Sequence, residues 1–185
     1  MATMFSTVLV LVVLGSGTAI AAGTSSPYTG LEKREIKALS SDEVEAYLGG
    51  KGMGLAKAAE LNHYPGPAHV LAMSNALALT DDQQMRTESL FKSMETEAIS
   101  LGHQLIAREA ELDGMFADQT ITKERLQQST AAIATLQGQI RRVHLQTHLT
   151  QVEILDPEQI RQYDKLRGYF EATDSSLHEN AQPHH

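Results

Sequence analysis

Residues 80–154 read TDDQQMRTESLFKSMETEAISLGHQLIAREAELDGMFA, then DQTIT, then KERLQQSTAAIATLQGQIRRVHLQTHLTQVEI, and this stretch decides the fold. In the first part, Phe91, Met94, Ala98, Leu101, Leu105, Leu112 and Phe116 recur at steps of three, four or seven, the spacing of one stripe on a helix. Ile99 and Ile106 widen it. In the second part, Leu126, Ile133, Leu136, Ile140, Val143 and Ile154 repeat the pattern. The spacing predicts a helix over 81–117, a short turn at 118–122, and a return helix over 123–154. A connection that short makes antiparallel neighbours. Neither limb is stable alone in water, so each stripe must be covered.

Similar five-residue motifs bracket the pair: Leu79-Thr80-Asp81-Asp82-Gln83 before it and Leu155-Asp156-Pro157-Glu158-Gln159 after it. Each has the form of a capping box, with a cap at Thr80 or Asp156 and a return partner three residues on at Gln83 or Gln159. Pro157 suits a first helical position. Thr122 is placed to cap the return limb, and Leu79 and Leu155 to pack as staple residues.

Outward from the hairpin, the chain divides into four. Residues 1–22 carry an apolar run, Val8 to Leu14, then small residues Ala19-Ile20-Ala21. This reads as an export signal, or as a membrane anchor if it stays uncleaved. Residues 23–39 are expected as a flexible lead-in, 40–170 as the helical domain, and 171–185 as a disordered tail. Within the domain, Ser40 and Glu43 form another capping box. Gly49-Gly50-Lys51-Gly52-Met53-Gly54 then interrupts the chain. Those glycines lack the preceding strand and following Lys-Ser pair of a nucleotide loop, so they are read as a helix stop and a close-packing device. Short helices are expected from Leu55 to Leu61 and from Pro67 to about Leu77. A last amphipathic helix carries Ile160, Tyr163, Leu166 and Tyr169. No alternating strand pattern occurs. The expected class is all-α: a long antiparallel hairpin with shorter flanking helices.

Composition narrows the function. The 185 residues include no Cys and no Trp, which removes disulfides, thiolate metal sites and thiol catalysis. A net charge of −8 disfavours nucleic acid. No nucleophile elbow or His-Glu-x-x-His occurs, and carboxylates are scattered as on solvated faces, so no enzyme is expected. Glu109, on the inner stripe, is expected to pair with an Arg across the hairpin. Eight His and seven Met supply non-thiolate ligands.

The hairpin, the motif pair and the export signal in a chain without Cys resemble the Spy/CpxP family of periplasmic proteins, which belongs to a wider superfamily with ZraP and CnrX-like heavy-metal sensors. The first motif (Leu79, Thr80, Gln83) matches the family's Leu-Thr-x-x-Gln in full. In the second (Leu155, Asp156, Gln159), Asp156 replaces Thr. The resemblance covers roughly residues 68–169. It implies a hooked hairpin that forms a cradle-like homodimer. It implies a periplasmic holdase that keeps unfolded clients soluble without ATP or any cofactor, or an adaptor that damps an envelope sensor protein. The acidic balance departs from the basic cradle of Spy-like members, although Met85, Arg86, Arg141 and Arg142 remain candidates for a client or partner surface.

The alternative is a heavy-metal sensor or a metal-binding resistance protein. His144 and His148, four apart on one helix, could chelate a single ion. Folding the hairpin about residues 119–120 brings Met94 and Glu95 opposite them, and His69 could arrive from a docking helix. That set resembles CnrX-like sites and suits nickel, cobalt, copper or zinc. The competing assignment is two packing histidines.

Overall fold

The structure is a computed structural model and describes residues 25–169. The expected export signal over 1–22 and the tail over 171–185 lie outside the described residues. Among those described there are α-helices and one 3-10 turn, and no strand. The helices are α1 (Ser41–Leu48), α2 (Lys57–Glu60), α3 (Pro67–Ala72), α4 (Asp81–Ala117), α5 (Lys123–Val152) and α6 (Pro157–Arg167). No helix is long and apolar enough to cross a membrane among these residues.

The α4–α5 hairpin is the spine, and its ends are where side chains and backbone stop it. Thr80 Oγ1 accepts the Gln83 amide, and Gln83 reaches back to the Thr80 amide. At the other end, Gln119 takes a left-handed conformation (φ 56°). Thr120 N then donates to Met115 O and Gln119 N to Phe116 O, the two bonds of a Schellman stop. Thr122 restarts the chain by accepting from Arg125 N.

The shorter helices cover the stripes at two places. At the open end of the hairpin, Val70, Leu77, Leu155 and Tyr163 form one buried cluster, joining α3 and α6 to the base. Midway along, Leu105, Ile133 and Ile140 form another, with Tyr47 of α1 and Leu55 packed against it. Each large apolar side chain buried this way contributes about 1.5–3 kcal/mol, against about 1 kcal/mol for a cap. The clusters therefore hold the fold, and the caps set where each helix begins. The tip has no such cover: Phe116 is 54% exposed and Leu126 38%, although both lie on the expected stripes.

Differences from expectation lie in the short helices and the lead-in. α2 covers only Lys57–Glu60, and α3 stops at Ala72 rather than near Leu77. From Met73 to Leu79 the backbone runs through successive turns, with Ala78 at φ 48°. The expected flexible lead-in is tied down at its far end: Ile36 and Leu39 are buried, and Lys37 Nζ meets Asp113 at 2.9 Å. Glu109 does not pair across the hairpin. It is half-buried, no cation pairs with it among the described residues, and burial raises its pKa.

Candidate functional site

The two motifs meet. Gln83 Nε2 donates to Gln159 Oε1 at 2.8 Å, and Gln159 Nε2 donates back to Gln83 Oε1 at 2.9 Å. The second donor of each amide goes to a backbone carbonyl: Gln83 to Ile154 O, Gln159 to Leu77 O. The second lone pair of each accepts its own cap amide, from Thr80 or Asp156. Every donor and acceptor of both glutamines is thereby used. Asp156, in place of a Thr, keeps the capping role and extends it, accepting from both Glu158 N and Gln159 N. The motif pair is thus a clasp that holds the start of α4 to the start of α6.

Elsewhere along the hairpin lies a cavity of about 740 Å³. The glycine segment 49–54, α2, the start of α3, one face of α4, the second half of α5, and Arg167 and Tyr169 at the end of α6 line it. Glycine permits this closeness: Gly50, at φ 59°, would put a Cβ 3.0 Å from Glu95 O. His144, His148, Met94, Glu95 and His69, the five candidate ligands, all line this one cavity. His144 and His148 are buried, at 6% and 9% exposure, whereas the His69 side chain is half-exposed.

The geometry fixes how these groups present themselves. His148 Nδ1 lies 2.7 Å from Tyr64 O, and a carbonyl only accepts, so Nδ1 carries a proton and, in the neutral ring, Nε2 has the lone pair. Burial, reinforced by the nearby His148, holds His144 below the ordinary imidazole range. Its Nε2 is buried without a hydrogen-bond partner.

Glu60 of α2 is the hub that sequence reasoning missed. Its Oε1 accepts from Tyr163 at 2.6 Å, Tyr169 at 3.0 Å and Arg167 Nε at 3.1 Å, with His69 Nδ1 at 3.5 Å. Its Oε2 is buried with no hydrogen-bond partner, 3.9 Å from His148 Nδ1. Burial pushes the carboxyl up, but the two tyrosine hydrogen bonds and the His69 and Arg167 charges outweigh it and hold the pKa below its usual value. Tyr163 is pushed up in turn, by burial first and then by Glu60. Only its position in a short helix before the Tyr64-Pro65 break could have pointed to Glu60. Its hydrogen-bond donors Tyr163, Arg167 and Tyr169 lie more than a hundred residues away in the chain.

Despite this gathering, no group of three or more His, Asp or Glu is placed to hold a metal ion among the described residues. On the candidate partner surface, Met85 is 63% exposed, Arg86 faces Asp82 at 3.6 Å and Arg142 faces Glu97 at 3.4 Å. Arg141 is exposed. The chain matches no protein-family model, no curated protein and no solved structure.

Proposed function

We propose that this protein is a non-catalytic, ATP-independent holdase or envelope-stress adaptor of the Spy/CpxP type, exported and working as a homodimer on unfolded clients or on an envelope sensor protein. The observation that supports this reading is the clasp between Gln83 and Gln159. It gives the motif pair one joint task in setting the shape of a long hairpin. The exposed apolar side chains Met85, Phe116, Leu126 and Leu149 on that hairpin are contact groups for apolar client segments. Arg86, Arg108 and Arg142 are each paired with a carboxylate, so contact here is apolar rather than charge-led.

Light scattering of a thermally unfolding client tests it. The purified protein, without ATP, is expected to suppress aggregation near stoichiometric ratios, and Phe116→Ser with Leu126→Ser to weaken that suppression severalfold. No suppression at a several-fold molar excess removes the holdase arm. The heavy-metal alternative draws on the shared cavity of His144, His148, Met94, Glu95 and His69. Tight binding of nickel, cobalt, copper or zinc, lost in His144→Ala/His148→Ala, puts it first.

A further inference from the structure

The cavity lined by His144, His148 and Glu60 holds buried polar side-chain atoms without hydrogen-bond partners, which the holdase reading does not use. Three of its polar side chains have spent their donors within the protein. Thr147 donates to Val143 O at 2.8 Å, Tyr169 to Glu60 Oε1, and His148 Nδ1 to Tyr64 O. Two acceptors are left over among these side chains: the second oxygen of Glu60, which has no donor, and Nε2 of a neutral His148. The unpartnered His144 Nε2 adds a third polar atom in want of a ligand. Buried polar atoms left unpaired are costly, so a cavity with surplus acceptors favours a ligand that brings N–H groups and positive charge. Phe91, Met94, Met53, Leu61 and Pro67 make the rest of the wall largely apolar.

We propose that this cavity binds a small apolar primary amine, held as its ammonium ion by Glu60 with the imidazoles of His144 and His148, its hydrocarbon body lying against Phe91 and Met94. A volume of about 740 Å³ is that of a site for an organic molecule. A bare metal ion needs several ligands converging on one point, and no group of three His, Asp or Glu does so among the described residues. Of the three cations that line the cavity, Lys51 and Lys57 are exposed, so their charges are solvated and screened at its rim, and Arg167 is committed to Glu60 Oε1 at 3.1 Å and to the Tyr169 hydroxyl at 3.2 Å, which leaves Glu60 Oε2 for a ligand. The proposal does not rest on the holdase reading.

Calorimetric titration of the full chain with phenethylamine, in buffer containing a metal chelator, tests it. The expected result is one-to-one binding with a Kd below about 1 mM. Phenylacetate and phenethyl alcohol should bind at least tenfold more weakly, and Glu60→Gln should weaken the amine at least tenfold. Ala56→Phe, which puts a ring into the cavity and leaves the Glu60 carboxylate in place, should abolish binding while keeping the helical circular dichroism. If that variant loses its helical signal, Met94→Trp on the opposite wall makes the same test. Equal or tighter binding of phenylacetate would overturn the proposal and assign the rim lysines as the anchor. Absence of binding, binding that survives both filling variants, or binding that disappears with the chelator would overturn it as well.

Discussion

At the scale of single residues, the clasp shows why a glutamine and not a glutamate ends each motif. Either side chain can close a capping box. Only the amide also supplies two N–H groups, and here Gln83 spends them on Ile154 O and Gln159 Oε1. Gln83→Glu would set a carboxylate oxygen against two acceptors in a part-buried place. The expected cost is about 2–3 kcal/mol at neutral pH by urea denaturation, the range for a buried group left without its partner. Gln84→Glu is the control, since Gln84 bonds only to exposed Glu88 and the change should cost less than about 0.5 kcal/mol. Equal losses in the two variants would mean that the amide pair holds nothing together. The penalty in Gln83→Glu should fade as acid protonates the new carboxyl. Repelled by acceptors, it has a folded pKa above its unfolded one, so the loss is full above the folded pKa and gone below the unfolded one.

At the scale of elements, the helix glycines of the hairpin separate packing from propensity. A Cβ on Gly102 would lie 2.3 Å from Tyr47 O, the backbone where α1 crosses α4. At Gly114 and Gly138 a Cβ would meet nothing within 4 Å. Alanine in an open helical position gains about 0.5–1 kcal/mol over glycine. Gly114→Ala and Gly138→Ala should therefore each stabilise by about that much. Gly102→Ala must push α1 off its seat and should destabilise by about 2–3 kcal/mol, with a lower thermal midpoint. Stabilisation by all three would place α1 elsewhere. The same contrast explains what the sequence could announce. α4 and α6 start where their capping boxes say, and α5 starts after Thr122, because a cap is a local bond between residues three apart. α2 and α3 ran shorter than their apolar spacing suggested because tertiary turns at Leu61–Tyr64 and Met73–Leu79 decide their ends. The histidine cavity was legible from the four-residue spacing of His144 and His148 and the fold-back of the hairpin. Glu60 was not, because a carboxylate on a four-residue helix looks like any solvated acid until Tyr163, Arg167 and Tyr169 arrive from the far end of the chain.

At the scale of the whole molecule, Glu60 and the buried imidazoles make stability depend on pH in two separate windows. Burial is the first cause lowering the pKa of both His144 and His69, followed by the charge of His148 for the one and of Arg167 for the other. Glu60 is also lowered, its hydrogen bonds and neighbouring cations outweighing burial. In each case the folded chain binds fewer protons than the unfolded chain between the two pKa values, so stability falls as pH falls. For the imidazoles that loss begins at the unfolded value of about 6.5. For Glu60 it begins near the ordinary carboxylate range and is complete only below its lowered folded pKa. Glu43 and Asp113 are lowered too and share the lower window, while Glu109, raised by burial, opposes them. Urea-derived stability measured from pH 8 to pH 3 should therefore begin to fall below about pH 6.5 and fall further below about pH 4.5. His144→Gln should flatten part of the upper fall, since His69 still titrates there, and leave the lower slope alone. Glu60→Gln, though less stable throughout, should flatten part of the lower fall only, since Glu43 and Asp113 still titrate there. An upper slope unchanged in His144→Gln would mean that this imidazole titrates alike in folded and unfolded chains, and that the cavity wall around it is open to water rather than closed by the glycine segment and α5.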